Sequence, residues 1–155
     1  MKRFIRDHVR YIDEVQCAAA RVVNAIREHA RKRDPTKNPQ GIFDTFHIRR
    51  GDFQFKTTRI EADEIYDRTK DELQPNSTIY IATDERNKKF FQPLRDQYDI
   101  LFLDDFSHEL QGINTNYYGM YLLVYCWSID VHLSVHLASP PHRCKVYPLS
   151  RCFSH

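Results

Sequence analysis

The sequence predicts an α/β fold built on a parallel sheet, and three observations carry that reading. Short apolar and β-branched runs recur at residues 42–48, 78–82 and 100–103. Segments with helical spacing separate them, at 61–73 and 86–97. A long amphipathic stretch precedes the first run and supplies a helix for one face of the sheet. Strand, helix, strand, helix, strand is the order that crossover connections between parallel strands produce, so the expected core is a Rossmann-like sheet with flanking helices.

Each element follows from its own residues. Ile5, Val9, Ile12, Val15, Ala19, Val22 and Ile26 are three or four apart, which predicts a first helix over 4–33. Pro35, Pro39 and Gly41 forbid its continuation, and the charges of 31–41 read as a solvated loop. The aromatic and β-branched run 42–48 predicts the first strand. In 61–73, Ala62, Ile65, Thr69 and Leu73 share one side, and acidic residues occupy the first turn, where the helix dipole favours them. Pro75-Asn76 breaks that helix, and the run 78–82 suits a strand buried on both faces. A helix over 86–97 and a strand over 100–103, stopped by Asp104-Asp105, complete the pattern.

The bulk numbers narrow the class. The 155 residues are 41% hydrophobic and 28% charged with 4 Gly, which fits one packed core and excludes a disordered or repeat-built chain. A net charge of +2, from 23 Lys and Arg against 21 Asp and Glu, excludes a nucleic-acid coat, so any anion must be held locally. No run approaches the roughly 18 apolar residues of a membrane span, and the charged start is not a signal segment. Cys17, Cys126, Cys144 and Cys152 are too sparse for a disulfide scaffold and leave the redox compartment open. Asn76-Ser77-Thr78 is a glycosylation sequon, relevant only in a secretory setting.

Ligands of an open parallel sheet sit beyond the carboxyl ends of its strands. Those ends present His47, Arg49 and Arg50, then Asp84 and Glu85, then Asp104 and Asp105. Adjacent arginines can offer planar donor forks to phosphate oxygens, and the alternative is that they pair with Asp52 or Asp84 at the rim. His47 is either a catalyst or a satisfied core histidine on an apolar strand. Neither a phosphate-binding P-loop nor the spaced glycines of dinucleotide binding occurs. The sequence also lacks an Asp-x-Asp pair that would hold a metal against a diphosphate, so arginine chemistry without a metal or other cofactor is expected.

The string His47-Ile48-Arg49-Arg50-Gly51-Asp52-Phe53-Gln54-Phe55, with Ile79-Tyr80-Ile81-Ala82-Thr83-Asp84-Glu85-Arg86-Asn87, closely resembles the GDP-fucose O-fucosyltransferase family, including its plant and algal branch. Leu103-Asp104-Asp105-Phe106 and the turn Asn116-Tyr117-Tyr118-Gly119-Met120 are similar to that branch as well. The resemblance implies most of the nucleotide-sugar-binding lobe of a two-lobed GT-B glycosyltransferase, over residues 1–120, with the other lobe missing. It implies an inverting, metal-independent transfer of fucose from GDP-fucose to a hydroxyl of a protein or glycan. By the same likeness Arg49 binds the β-phosphate and assists its departure, and His47 contacts the nucleotide. Arg50 and Asp52 complete the motif, and Asp84 and Glu85 brace the site or touch nucleotide hydroxyls. A secretory-pathway location, in the ER or Golgi, is implied by the family, and nucleic acid is not an expected partner.

Residues 121–155 depart from the family, which calls there for a helix, a strand and a Gly-Thr-Trp/Phe-Ser-Ser-like turn, and they are read as a divergent, unassigned tail. A shifted reading frame or mis-joined exon produces such a break, and translation of the coding DNA in all frames tests for it. His132 and His136 with Cys126, Cys144 and Cys152 evoke zinc but lack a Cys-x-x-Cys pair. The Arg50-Gly51-Asp52 tripeptide has a better use in an anion site than in adhesion. Two other readings stay open: a truncated, non-catalytic lobe that keeps residual GDP binding, and an unrelated anion-binding module.

Overall fold

A computed structural model describes residues 13–50 and 60–112. Residues 4–12 of the expected first helix, Asp52 and the tail 121–155, with its cysteines and histidines, lie outside the described residues.

Three strands form one parallel sheet in the order β1-β2-β3, with β1 at Asp44–Ile48, β2 at Thr78–Thr83 and β3 at Asp99–Phe102. Helix α1, Asp13–Arg33, covers one face. Helix α2, Ala62–Thr69, and the short α3, Gln92–Arg95, cover the other. This is the α/β architecture expected, consistent with a Rossmann-like arrangement.

Strand alternation sorts the core into its two layers. Tyr80 is in register with Thr45 and Leu101, and this row meets α1. Ile81 is in register with Phe46 and Phe102, and this row meets Leu73, Phe91, Leu94 and Tyr98 on the opposite face. β2 is the central strand and is buried from Thr78 to Ala82, as its unbroken apolar run requires. On α1, Val15, Ala18, Val22 and Ile26 are fully buried at helical spacing. Each branched side chain of that stripe contributes about 1.5–3 kcal/mol by leaving water.

The loop after α1 is a built turn, although its composition reads as plain solvated chain. Asp34 Oδ1 accepts the Lys37 N–H at 3.0 Å, and the Asn38 side chain both donates to and accepts from the Ile42 backbone at 2.7 Å. Gly41 has φ +66°, and a Cβ there would stand 2.2 Å from the Arg27 carbonyl oxygen, so the turn is pressed against α1. At the amino end of the sheet, Asp99 Oδ2 accepts from Thr78 Oγ1 at 2.9 Å and lies 2.8 Å from His29 Nε2. Arg33 donates to the Asn76 carbonyl at 2.7 Å, fixing the last turn of α1 to the start of β2. Asn76 itself, the sequon asparagine, is exposed in a left-handed turn with φ 61°.

Two helices are shorter than their spacing predicts. α2 ends at Thr69, whose hydroxyl donates back to the Ile65 carbonyl at 2.8 Å and whose own carbonyl accepts from both Glu72 and Leu73. This tightening delivers Leu73 into the core. The expected helix over 86–97 is instead a 3-10 turn, Lys88–Phe91, running into α3. The Asn87 side chain caps the first piece, and Pro93 lacks an N–H and therefore suits only the first turn of a new helix. Among the described residues, no helix is long and apolar enough to cross a membrane. Cys17 is disulfide-bonded, which the cysteine count alone did not reveal.

Candidate functional site at the carboxyl ends of the strands

Parallel pairing of β1 with β2 places the residues that follow Ile48 beside those that follow Thr83. Arg49 and Arg50 thereby meet Asp84 and Glu85, although the two pairs are more than thirty residues apart in the chain. The Asp84 carboxylate joins them: Oδ1 accepts the backbone N–H of Arg50 at 2.7 Å, and Oδ2 lies 3.8 Å from Arg49 Nε.

The two arginines differ sharply. The Arg50 side chain is 17% exposed, and its guanidinium is engaged on three sides. Nε donates to Glu85 Oε2 at 3.2 Å, one terminal nitrogen donates to the Ile60 carbonyl at 3.0 Å, and the other lies 3.6 Å from Glu61 Oε1. The face of the guanidinium rests 3.6 Å from the centroid of the Phe90 ring. Of the two roles open to Arg50, phosphate binding or pairing at the rim, the structure shows pairing at the rim, with Glu61 and Glu85. These contacts tie the end of β1 to the β2 loop and the start of α2. Arg49 is 56% exposed, and its Asp84 contact is longer than a hydrogen bond.

Glu85 is a hub of the rim. Besides Arg50, its Oε1 accepts the Asn87 N–H at 2.8 Å, its own N–H donates to Thr83 Oγ1 at 3.0 Å, and its carbonyl accepts from Lys88 Nζ at 3.1 Å. The resemblance implies that Glu85 braces the site or touches nucleotide hydroxyls, and in the structure its carboxylate is bonded within the protein through both oxygens. Lys88 Nζ also lies 3.6 Å from Asp104 Oδ2 and 4.6 Å from the centre of the Phe102 ring, linking the ends of β2 and β3. Asp105 accepts the Phe102 N–H at 2.7 Å and serves the backbone. His47, in register with Ala82, is exposed near the end of β1.

Arg49, Arg50, Asp84 and Glu85 are thus brought together, while Asp104 joins through Lys88. Sequence reasoning missed Lys88, Phe90, Glu61 and the Ile60 carbonyl. Phe90 lies within an expected helix and carried no signal separating it from a core aromatic, and a backbone carbonyl has no signature at all. Among the described residues, four carboxylates, those of Glu61, Asp84, Glu85 and Asp104, face three cations here, Arg49, Arg50 and Lys88. Arg49 has the most exposed side chain of the three cations. Among the described residues, no group of three or more His, Cys, Asp or Glu side chains is arranged to hold a metal ion.

No protein-family model matches the chain, nor does any curated protein or solved structure. Fold and site together define an α/β chain whose parallel strands end in an arginine-carboxylate rim.

Proposed function

We propose that this chain is the nucleotide-sugar-binding part of a GT-B glycosyltransferase of the GDP-fucose O-fucosyltransferase type, which moves fucose from GDP-fucose to a hydroxyl of a protein or glycan. The observation that carries the reading is the division between the adjacent arginines. Arg50 is 17% exposed and bonded into the scaffold, and Arg49 is 56% exposed just beyond the end of the first parallel strand. Open α/β sheets take their ligands at that place.

The chemistry follows from charge. Breaking the bond between fucose and the β-phosphate oxygen builds negative charge on the departing GDP. A guanidinium fixed there before the reaction stabilises that charge most when it is greatest. Arg49 fills this role, with its neighbour Arg50 holding the backbone in place. His47, on the same strand, is the proposed nucleotide contact, and Asp84 braces the backbone of Arg50. The acceptor hydroxyl and the second lobe of such an enzyme are partners of this reading.

The test is titration of GDP into the purified chain, with Arg49→Ala beside the wild type. Binding that falls at least about tenfold in the variant is expected, since a charge-assisted contact to phosphate contributes about 1.5–3 kcal/mol. Absence of GDP binding by the wild-type chain overturns the reading. Release of GDP from GDP-fucose then separates a working transferase from a non-catalytic lobe that only binds.

A further inference from the structure

The rim that would receive an anion already contains one. Asp84 Oδ2 stands 3.8 Å from Arg49 Nε, while the other oxygen of the same carboxylate is fixed by the Arg50 N–H at 2.7 Å. The carboxylate is therefore anchored through one oxygen to the scaffold, and its other oxygen lies within ion-pair range of Arg49. Its side chain is 34% exposed and that of Arg49 56%, so solvent and small solutes reach the pair. Resting on the anion-site reading above, we propose that Asp84 is a resident counter-ion of Arg49, which holds the guanidinium when no ligand is present, yields it to an incoming phosphate and reclaims it on release.

Two effects follow with the same sign. A phosphate that engages Arg49 must displace the Asp84 contact, and it must also accept a carboxylate as a near neighbour of like charge. Asp84 thus lowers affinity for phosphate-bearing ligands and speeds their departure, a useful property where the leaving nucleotide diphosphate must clear the site. The opposite role, in which the carboxylate aims the guanidinium at the ligand, predicts the reverse effect on affinity.

Asp84→Asn separates the two. The side-chain carbonyl of asparagine can still accept the Arg50 N–H, while the negative charge beside Arg49 is gone. Exposed ion pairs of this kind are weak, so GDP should bind the full chain about two- to fivefold more tightly, with slower dissociation. Glu72→Gln changes net charge equally from an exposed position after α2 and should leave the affinity unchanged. Thermal melts establish that each variant folds, and Asp84→Ser, whose hydroxyl can accept the same N–H, replaces the amide should that variant not fold.

Isothermal titration of GDP into wild type, Asp84→Asn, Glu72→Gln and Arg49→Ala reads the outcome. Tighter binding confined to the Asp84 variant supports the counter-ion. Unchanged or weaker binding by that variant, with Arg49→Ala still defective, overturns it and leaves the anion site standing. Equal tightening by Glu72→Gln also overturns it. GDP binding indifferent to Arg49→Ala, or no binding by any of the four proteins, removes the anion site and the counter-ion together.

Discussion

Replacing Arg50 by alanine removes, in one step, a hydrogen bond to Glu85, a hydrogen bond to the Ile60 carbonyl and a guanidinium stacked 3.6 Å from the Phe90 ring centre. The pair is partly buried, with Arg50 17% and Glu85 23% exposed, so solvent replaces only part of what is lost. A charge-assisted hydrogen bond of this kind contributes about 1.5–3 kcal/mol, and the stack about 0.5–2 kcal/mol. Water reaching Glu85 offsets some of the total, and the expected loss is about 2–4 kcal/mol. For a chain of 155 residues that corresponds to a fall in Tm of roughly 5–15 °C. Arg49→Ala removes a more exposed side chain, 56% accessible, and should cost less, about 1 kcal/mol or under. Arg50→Lys keeps the charge without the planar fork and should recover less than half of the loss. Thermal and urea unfolding of the three variants measures these differences. Equal destabilisation by Arg49→Ala and Arg50→Ala would refute the division of labour on which the site is built.

Two further outcomes follow from the fold. Gly41→Ala forces a methyl group to 2.2 Å from the Arg27 carbonyl and an L residue into φ +66°; a loss of at least about 2 kcal/mol in urea unfolding is expected. Tyr98 has its hydroxyl pushed above its ordinary value of 10.0, chiefly by burial, with Tyr66 and Asp44 adding to the effect. Above pH 10 the unfolded chain loses that proton first, so stability present below this pH falls as pH rises. Tyr98→Phe removes this component, and its melting temperature should decline less steeply than that of the wild type between about pH 9 and 11. An identical decline in both proteins would show that Tyr98 does not contribute.

Local periodicity made most of the scaffold legible. The three strands and their parallel direction were readable because a strand buried on both faces must be apolar throughout and crossover helices must intervene. The stripe Val15, Ala19, Val22 and Ile26 was readable because a helix repeats its face every three or four residues. The stretch 86–97 misled because apolar spacing records which side chains are inward and says little about a backbone interrupted by Asn87 and Pro93. The solvated loop after α1 was readable from its prolines and charges, whereas the turn knitted by Asp34 and Asn38 within it was not, since polar composition looks alike in free chain and in a bonded turn.

At the site, the sequence alone determined that two arginines follow the first strand and two carboxylates the second, because strand ends are marked by where apolar alternation stops. Folding is what draws Arg50 into the scaffold, 17% exposed, and leaves Arg49 56% exposed at the rim. Phe90, Glu85, Glu61 and the Ile60 carbonyl come from separate stretches of chain and converge on Arg50 once the sheet has formed. Adjacent identical side chains carry the same intrinsic chemistry. What separates them is desolvation and the company of distant neighbours, which no local pattern encodes.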